Sequence, residues 1–121
     1  MTGAGFIIGA CSILVAQAAA AGPVTAVVIG NNRGNADETP LAYAERDASL
    51  VADVLQRLGG VAPGSTVALY GEDVARVRTA LAEVKERLAA QRDATLIVYY
   101  SGHADARGLH LAGTLLPYAE L

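Results

Sequence analysis

Thr95-Leu-Ile-Val-Tyr-Tyr-Ser-Gly-His-Ala-Asp105 decides how this 121-residue chain is read. Leu96–Tyr100 is an unbroken apolar run of strand length, and Ser101-Gly102 stops it abruptly. A run that is apolar on both faces fits a parallel sheet covered on both sides, and it predicts a central strand with a neighbour on each edge. Just past the turn stands His103, one of two histidines in the chain. Open α/β sheets place their active-site crevice there, beyond the carboxyl ends of the parallel strands.

Working outward, the β-branched run Val24–Ile29 closed by Gly30 reads as a first buried strand, and the polar stretch 31–40 as a loop. Leu41–Leu58 has helical periodicity, with Leu50, Val51, Val54, Leu55 and Leu58 as its expected inner face and Gly59-Gly60 as its stop. Asp47 falls in the first half of that helix, where the dipole favours a carboxylate for structural reasons alone. After the Pro63-Gly64 turn, Thr66–Tyr70 reads as a second strand. Asp73 is the expected N-cap of a second helix whose inner face carries Val74, Val77, Leu81, Val84 and Leu88. Beyond the histidine loop, Gly108–Ala112 is a short extended piece. Its period-2 alternation sets His110 on the polar side, as a surface residue. Pro117 is placed to open another helix. Strands alternating with helices imply a parallel sheet with right-handed crossovers.

Composition narrows the function. The chain is 53% hydrophobic and 17% charged, so it can bury a core. Its net charge is -3 and its basic residues are dispersed, which argues against a nucleic-acid partner. A single cysteine, Cys11, excludes an internal disulfide framework and a cysteine-based zinc site, and the two histidines lack metal-ligand spacing. Gly30 and Gly34 form neither a dinucleotide fingerprint nor a Walker loop, so phosphate binding is a weak reading. The apolar stretch Phe6–Ala16 is too short to span a bilayer and leads into Ala18–Ala21, a pattern that suits a cleavable signal peptide over residues 1–21. The leader carries no lysine or arginine ahead of its apolar stretch. The expectation is therefore an exported protein (periplasmic or extracellular) if the leader works as a signal, a cytoplasmic one otherwise, and in neither case an integral membrane protein. Ile8-Gly-Ala-Cys11 also looks like a lipoprotein acceptor, with too little apolar sequence before it.

Three segments in register carry a resemblance: AVVIGNN (26–32), LAYAERDASLVADVLQRLGG (41–60) and LIVYYSGHAD (96–105). Together they resemble the N-terminal half of a caspase/metacaspase-type peptidase domain. The resemblance implies a three-layer α/β/α, Rossmann-like parallel sheet over residues 22–121, truncated after the third strand and the histidine loop. It implies a cysteine-type endopeptidase acting on protein or peptide substrates, with His103 as the histidine of a Cys–His dyad. Gly102 would permit the turn that presents the imidazole, and the N–H of Ala104 would be an oxyanion-hole donor. Many members have glycine there; alanine keeps the N–H within a narrower backbone range. The family's nucleophile follows the next strand, in an Asp-x-Cys-x-Ser-Gly type segment expected beyond Leu121, within a C-terminal half that completes the sheet. Cys11 precedes the first strand and cannot replace it, so this chain alone is expected to be inactive. Ser101 lacks the G-x-S-x-G elbow of a serine nucleophile. No cofactor is implied. Some members need calcium, but Asp37, Glu38 and Asp105 look too scattered for a site. Cleavage after Asp or after Arg/Lys stays open, although Arg33 or Arg46 could contact an acidic side chain. The competing readings are a non-catalytic regulatory module of the same fold (a pseudopeptidase) and an unrelated Rossmann-like phosphate binder.

Overall fold

The computed structural model describes residues 21–121. The expected leader, with Cys11, lies outside the described residues apart from Ala21. Strand β1 (Val24–Gly30) leads to helix α1 (Ala44–Arg57), β2 (Thr66–Tyr70), α2 (Val74–Ala89) and β3 (Thr95–Ser101), and a hairpin of β4 (Gly108–Leu111) and β5 (Thr114–Pro117) follows. The first three strands form a parallel sheet in the order β2-β1-β3, with Val27 opposite both Val67 and Val98. Helix α1 covers one face and α2 the other, so the α/β, three-layer expectation holds.

Among the described residues the sheet is centred on β1, with β3 at an open edge. β1 is the middle strand, and Ala26, Val27, Val28 and Ile29 are all 0% exposed. β3 pairs with β1 on one edge and with no other strand among the described residues, and Val98 on it is 38% exposed. The chain steps to one side of β1 for β2 and to the other for β3. The hairpin does not extend the sheet. It folds onto the α2 side, where Leu109, Leu111 and Leu116 join Val27, Ile29, Leu69 and Val77 in the larger core.

Helix α1 also turns a different face inward from the one its large side chains suggest. Ala44, Ala48 and Ala52 are buried, whereas Leu50, Val54 and Leu58 are exposed. The reason is close approach: a Cβ on Gly30 would sit 2.7 Å from the Ala48 Cβ and 2.8 Å from the Glu45 Cα. A helix lying that near a strand can face it only with alanines. Those alanines recur four residues apart and weigh little in a hydrophobicity pattern, so the larger residues beside them hide the true inner stripe. α2 follows its pattern, with Val77, Leu81 and Val84 buried and the Asp73 carboxylate accepting from the Arg76 N–H at 3.0 Å. Pro117 ends β5 and opens only a 3₁₀ turn, Tyr118–Glu120, in place of the expected helix. A two-pronged ion pair from Arg78 to Glu120, 2.6 and 2.8 Å, fastens that turn to α2. No helix among the described residues is long and apolar enough to cross a membrane.

Candidate active site

Three loops meet at the carboxyl end of the sheet, and two asparagines stitch them together. Asn31 is fully buried; its N–H donates to the Ser101 carbonyl at 2.9 Å and its Nδ2 to the Glu72 carbonyl at 2.7 Å. Asn32 and Glu45 exchange bonds: the Asn32 Oδ1 accepts from the Glu45 N–H at 3.1 Å, and the Glu45 Oε1 accepts from the Asn32 N–H at 3.2 Å. The first turn of α1 is thereby capped by a residue from the preceding loop. The Arg33 and Gly34 carbonyls then accept the Ala112 and Gly113 N–H groups, both at 2.9 Å. The polar loop 31–40 thus lies across the hairpin.

His103 stands under this loop. Its Nε2 is 2.8 Å from the Thr39 carbonyl oxygen. A carbonyl can only accept, so Nε2 carries the hydrogen, and the neutral ring keeps its lone pair on Nδ1. Gly102 is required by what passes beneath the turn: a Cβ there would collide with the Tyr100 hydroxyl and lie 3.1 Å from the Asn31 oxygen. That hydroxyl donates to the His103 carbonyl at 2.6 Å and the His110 carbonyl at 2.9 Å, a three-centre bond. Burial, with the nearby Glu38 charge adding to it, pushes the Tyr100 phenol up to about 12, so it stays a donor at neutral pH.

The next residue, Ala104, faces Leu109 in an isolated antiparallel bridge. The bonds flanking that bridge run from the His110 N–H to the His103 carbonyl, 2.9 Å, and from the Asp105 N–H to the Gly108 carbonyl, 3.1 Å. Ala104 therefore occupies the non-hydrogen-bonded position of the pair, and its own N–H points away from β4. The loop ends in Asp105, whose carboxyl is held well below the usual carboxylate range. The Arg107 side chain is the main cause, followed by the Arg107 N–H; burial opposes them, and His110 adds a smaller lowering.

His110 overturns its expected surface position: it is 3% exposed. Alternation along β4 does point it away from Leu109 and Leu111, but loop 31–40 covers that second face as well. Its Nδ1 lies 2.7 and 2.9 Å from the two oxygens of Glu38. Its Nε2 makes a 3.3 Å ionic contact with Asp105 Oδ2, outside hydrogen-bond alignment. Glu38 and Asp105, which looked scattered in sequence, thus face opposite edges of one buried imidazole. Glu38 also accepts from the Asn35 N–H at 2.6 Å, and its Oε1 lies 4.0 Å from His103 Nδ1. Partial burial works against the ionised form of Glu38. The Asn35 N–H and the His110 bond, with the attraction of either imidazole whenever it is protonated, outweigh it and hold the carboxyl below its usual range. No group of three or more metal-ligating side chains forms among the described residues. A cleft of about 260 Å³ opens beside Glu38, bounded by Arg33, Gly34, Asn35 and Pro40.

This constellation sits on a chain whose residues 24–120 match the family model of the caspase domain. The chain belongs to the caspase-domain family. No curated protein and no solved structure matches it. The caspase-domain assignment makes this a member of a peptidase family, whose substrates are proteins. In physical terms, Ile29-Gly30-Asn31 ends the central strand and ties its neighbours together, and Ala44 and Ala48 let α1 approach the sheet. Of the residues singled out in the sequence, Gly102, His103 and Ala104 share one turn at the sheet's end. Arg33 lines the cleft, and Arg46 and Asp47 are exposed on α1. The sequence reading missed Thr39, Tyr100 and the role of Glu38. Each acts through a contact far away in sequence or through its backbone, and no local pattern marks such contacts.

Proposed function

We propose that this caspase-domain protein is a cysteine endopeptidase in which His103 is the dyad histidine and the nucleophilic cysteine is supplied by sequence beyond Leu121. The observation that carries this reading is the single hydrogen bond to His103. With Nε2–H committed to the Thr39 carbonyl at 2.8 Å, Nδ1 is the nitrogen left to exchange protons, on the loop where this fold opens its crevice. Nδ1 takes the thiol proton, and the thiolate attacks the scissile carbonyl carbon. The carbonyl oxygen becomes an oxyanion within reach of the Ala104 N–H. As the C–N bond breaks, the imidazolium returns its proton to the leaving amine. Water, deprotonated by Nδ1, then releases the acyl group and restores the thiol. Gly102 keeps the turn open for the Tyr100 hydroxyl, which sets the height of the His103 backbone. Residues 1–21 act in this reading as a cleavable export leader.

The test is to read the coding sequence past codon 121 and assay the encoded protein on peptide substrates with Asp, Arg or Lys immediately before the scissile bond. A strand followed by an Asp-x-Cys-x-Ser-Gly segment is expected, with His103→Ala and the cysteine-to-alanine variant each losing about 100-fold or more in kcat. A frame without that cysteine, or an active His103→Ala variant, sinks the proposal. The first of these outcomes would leave a non-catalytic caspase-fold module.

A further inference from the structure

We propose that Glu38 is a positioning residue for His103 and that His110 is its anchor, an inference that rests on His103 acting as the proton-transfer group. The chemistry above uses neither residue, yet the fold invests in both. His110 is a polar ring buried on the face of β4 opposite Leu109 and Leu111, beneath loop 31–40, and such a group is tolerated only when partnered. Its partner is the Glu38 carboxylate, at 2.7 and 2.9 Å. Glu38 stands on a polar loop, and a third contact, the Asn35 N–H at 2.6 Å, leaves it little freedom.

Two consequences reach His103. Glu38 Oε1 faces its Nδ1 at 4.0 Å, near enough to favour the ring when Nδ1 holds a proton and too far to take that proton. Thr39 is the next residue, so the anchor that fixes Glu38 also fixes the carbonyl holding Nε2. One buried histidine thereby sets both edges of the exposed one. The space is built for it: a Cβ on Gly34 would collide with the Glu38 carboxylate and come within 2.8 Å of the His103 Cδ2.

The decisive measurement is ¹⁵N–¹H correlation of the two imidazoles in this chain, which requires no nucleophile. Wild type should show a protected His103 Nε2–H and a single ring environment. Glu38→Ala and His110→Gln should both lose that protection, while Glu38→Gln, which keeps the shape and removes the charge, should retain part of it. In the protein carrying the cysteine, Glu38→Gln should lower kcat about 10- to 100-fold with KM within about twofold. If Glu38→Ala or His110→Gln lowers the melting temperature yet leaves the His103 signals and kcat as in wild type, Glu38 is merely structural and the proposal fails. If His103→Ala is itself active, the peptidase reading fails, and the imidazole spectra still decide whether Glu38 positions the ring.

Discussion

The two histidines, joined by a bond from the His110 N–H to the His103 carbonyl, are built in opposite ways. His103 is a quarter exposed, at 25% of its side chain, and holds one hydrogen bond. His110 is enclosed, at 4% of its side chain, with a carboxylate at each ring edge. The first leaves its Nδ1 without a hydrogen bond; the second is hemmed in at both ring edges. The difference teaches that in this domain a histidine's chemistry follows from what closes over it, and here the same ten-residue loop, 31–40, closes over both.

The largest test of this contrast is the pair of alanine variants. His110→Ala removes a charge-assisted bond from a buried position and should cost about 2–3 kcal/mol of stability in urea unfolding. His103→Ala should cost less, about 0.5–1.5 kcal/mol for its one ring hydrogen bond, and under the proposed dyad it should abolish proteolysis in the protein that carries the cysteine. Equal losses in the two variants would erase the distinction. Next comes the space between the rings. Gly34→Ala should cost about 1–3 kcal/mol by overpacking against Glu38 and His103. Gly64→Ala, where a Cβ meets nothing within 4 Å, should be close to neutral in the same melt.

A smaller effect is expected beneath the turn. Tyr100→Phe deletes the hydroxyl shared by the two backbone carbonyls and should cost about 1–2 kcal/mol. Because the folded-state value is raised to about 12, folding favours the neutral phenol. That contribution is complete below about pH 10, the ordinary tyrosine value, and is lost as pH rises through the folded-state value. The alkaline limb of a stability–pH curve should shrink in Tyr100→Phe without vanishing, since burial raises Tyr70 as well. The smallest effect lies at the acid end. Glu38 and Asp105 are both held below their usual range, so their contribution is present above about pH 4 and fades as pH falls toward the folded-state values. Asp105→Asn should flatten that limb only slightly, because its partner Arg107 is exposed and the pair is screened. A flattening as large as the His110→Ala loss would show that Asp105 anchors the hairpin after all.

How much of this was legible in the sequence varies by element. Strands β1, β2 and β3 and helix α2 stand close to where their periodicity sets them, and the turn Ser101-Gly102-His103 falls at the sheet's end as its apolar run implies. Helix α1 exists as expected but rolls onto its alanines, because packing distance, set by Gly30, outweighs side-chain hydrophobicity. β3 is apolar enough for a sheet centre, yet among the described residues it has a strand neighbour, β1, on one side only and stays partly exposed. His110 follows its alternation correctly and is buried all the same. A period of two says which face a residue points to; it carries no information about a loop from the far end of the chain lying over that face.

The sequence by itself therefore determined the element order, the α/β class, the family, and the position of a loop histidine beyond the carboxyl end of the sheet. These depend on local periodicity, on turn residues and on short segments kept in register. Only the tertiary structure decided which strand is central, which face of α1 is buried, which imidazole nitrogen of His103 is free, and that Glu38 stands between two histidines. Those features depend on contacts between residues distant in the chain, and such contacts come into being only when the three loops close over the end of the sheet.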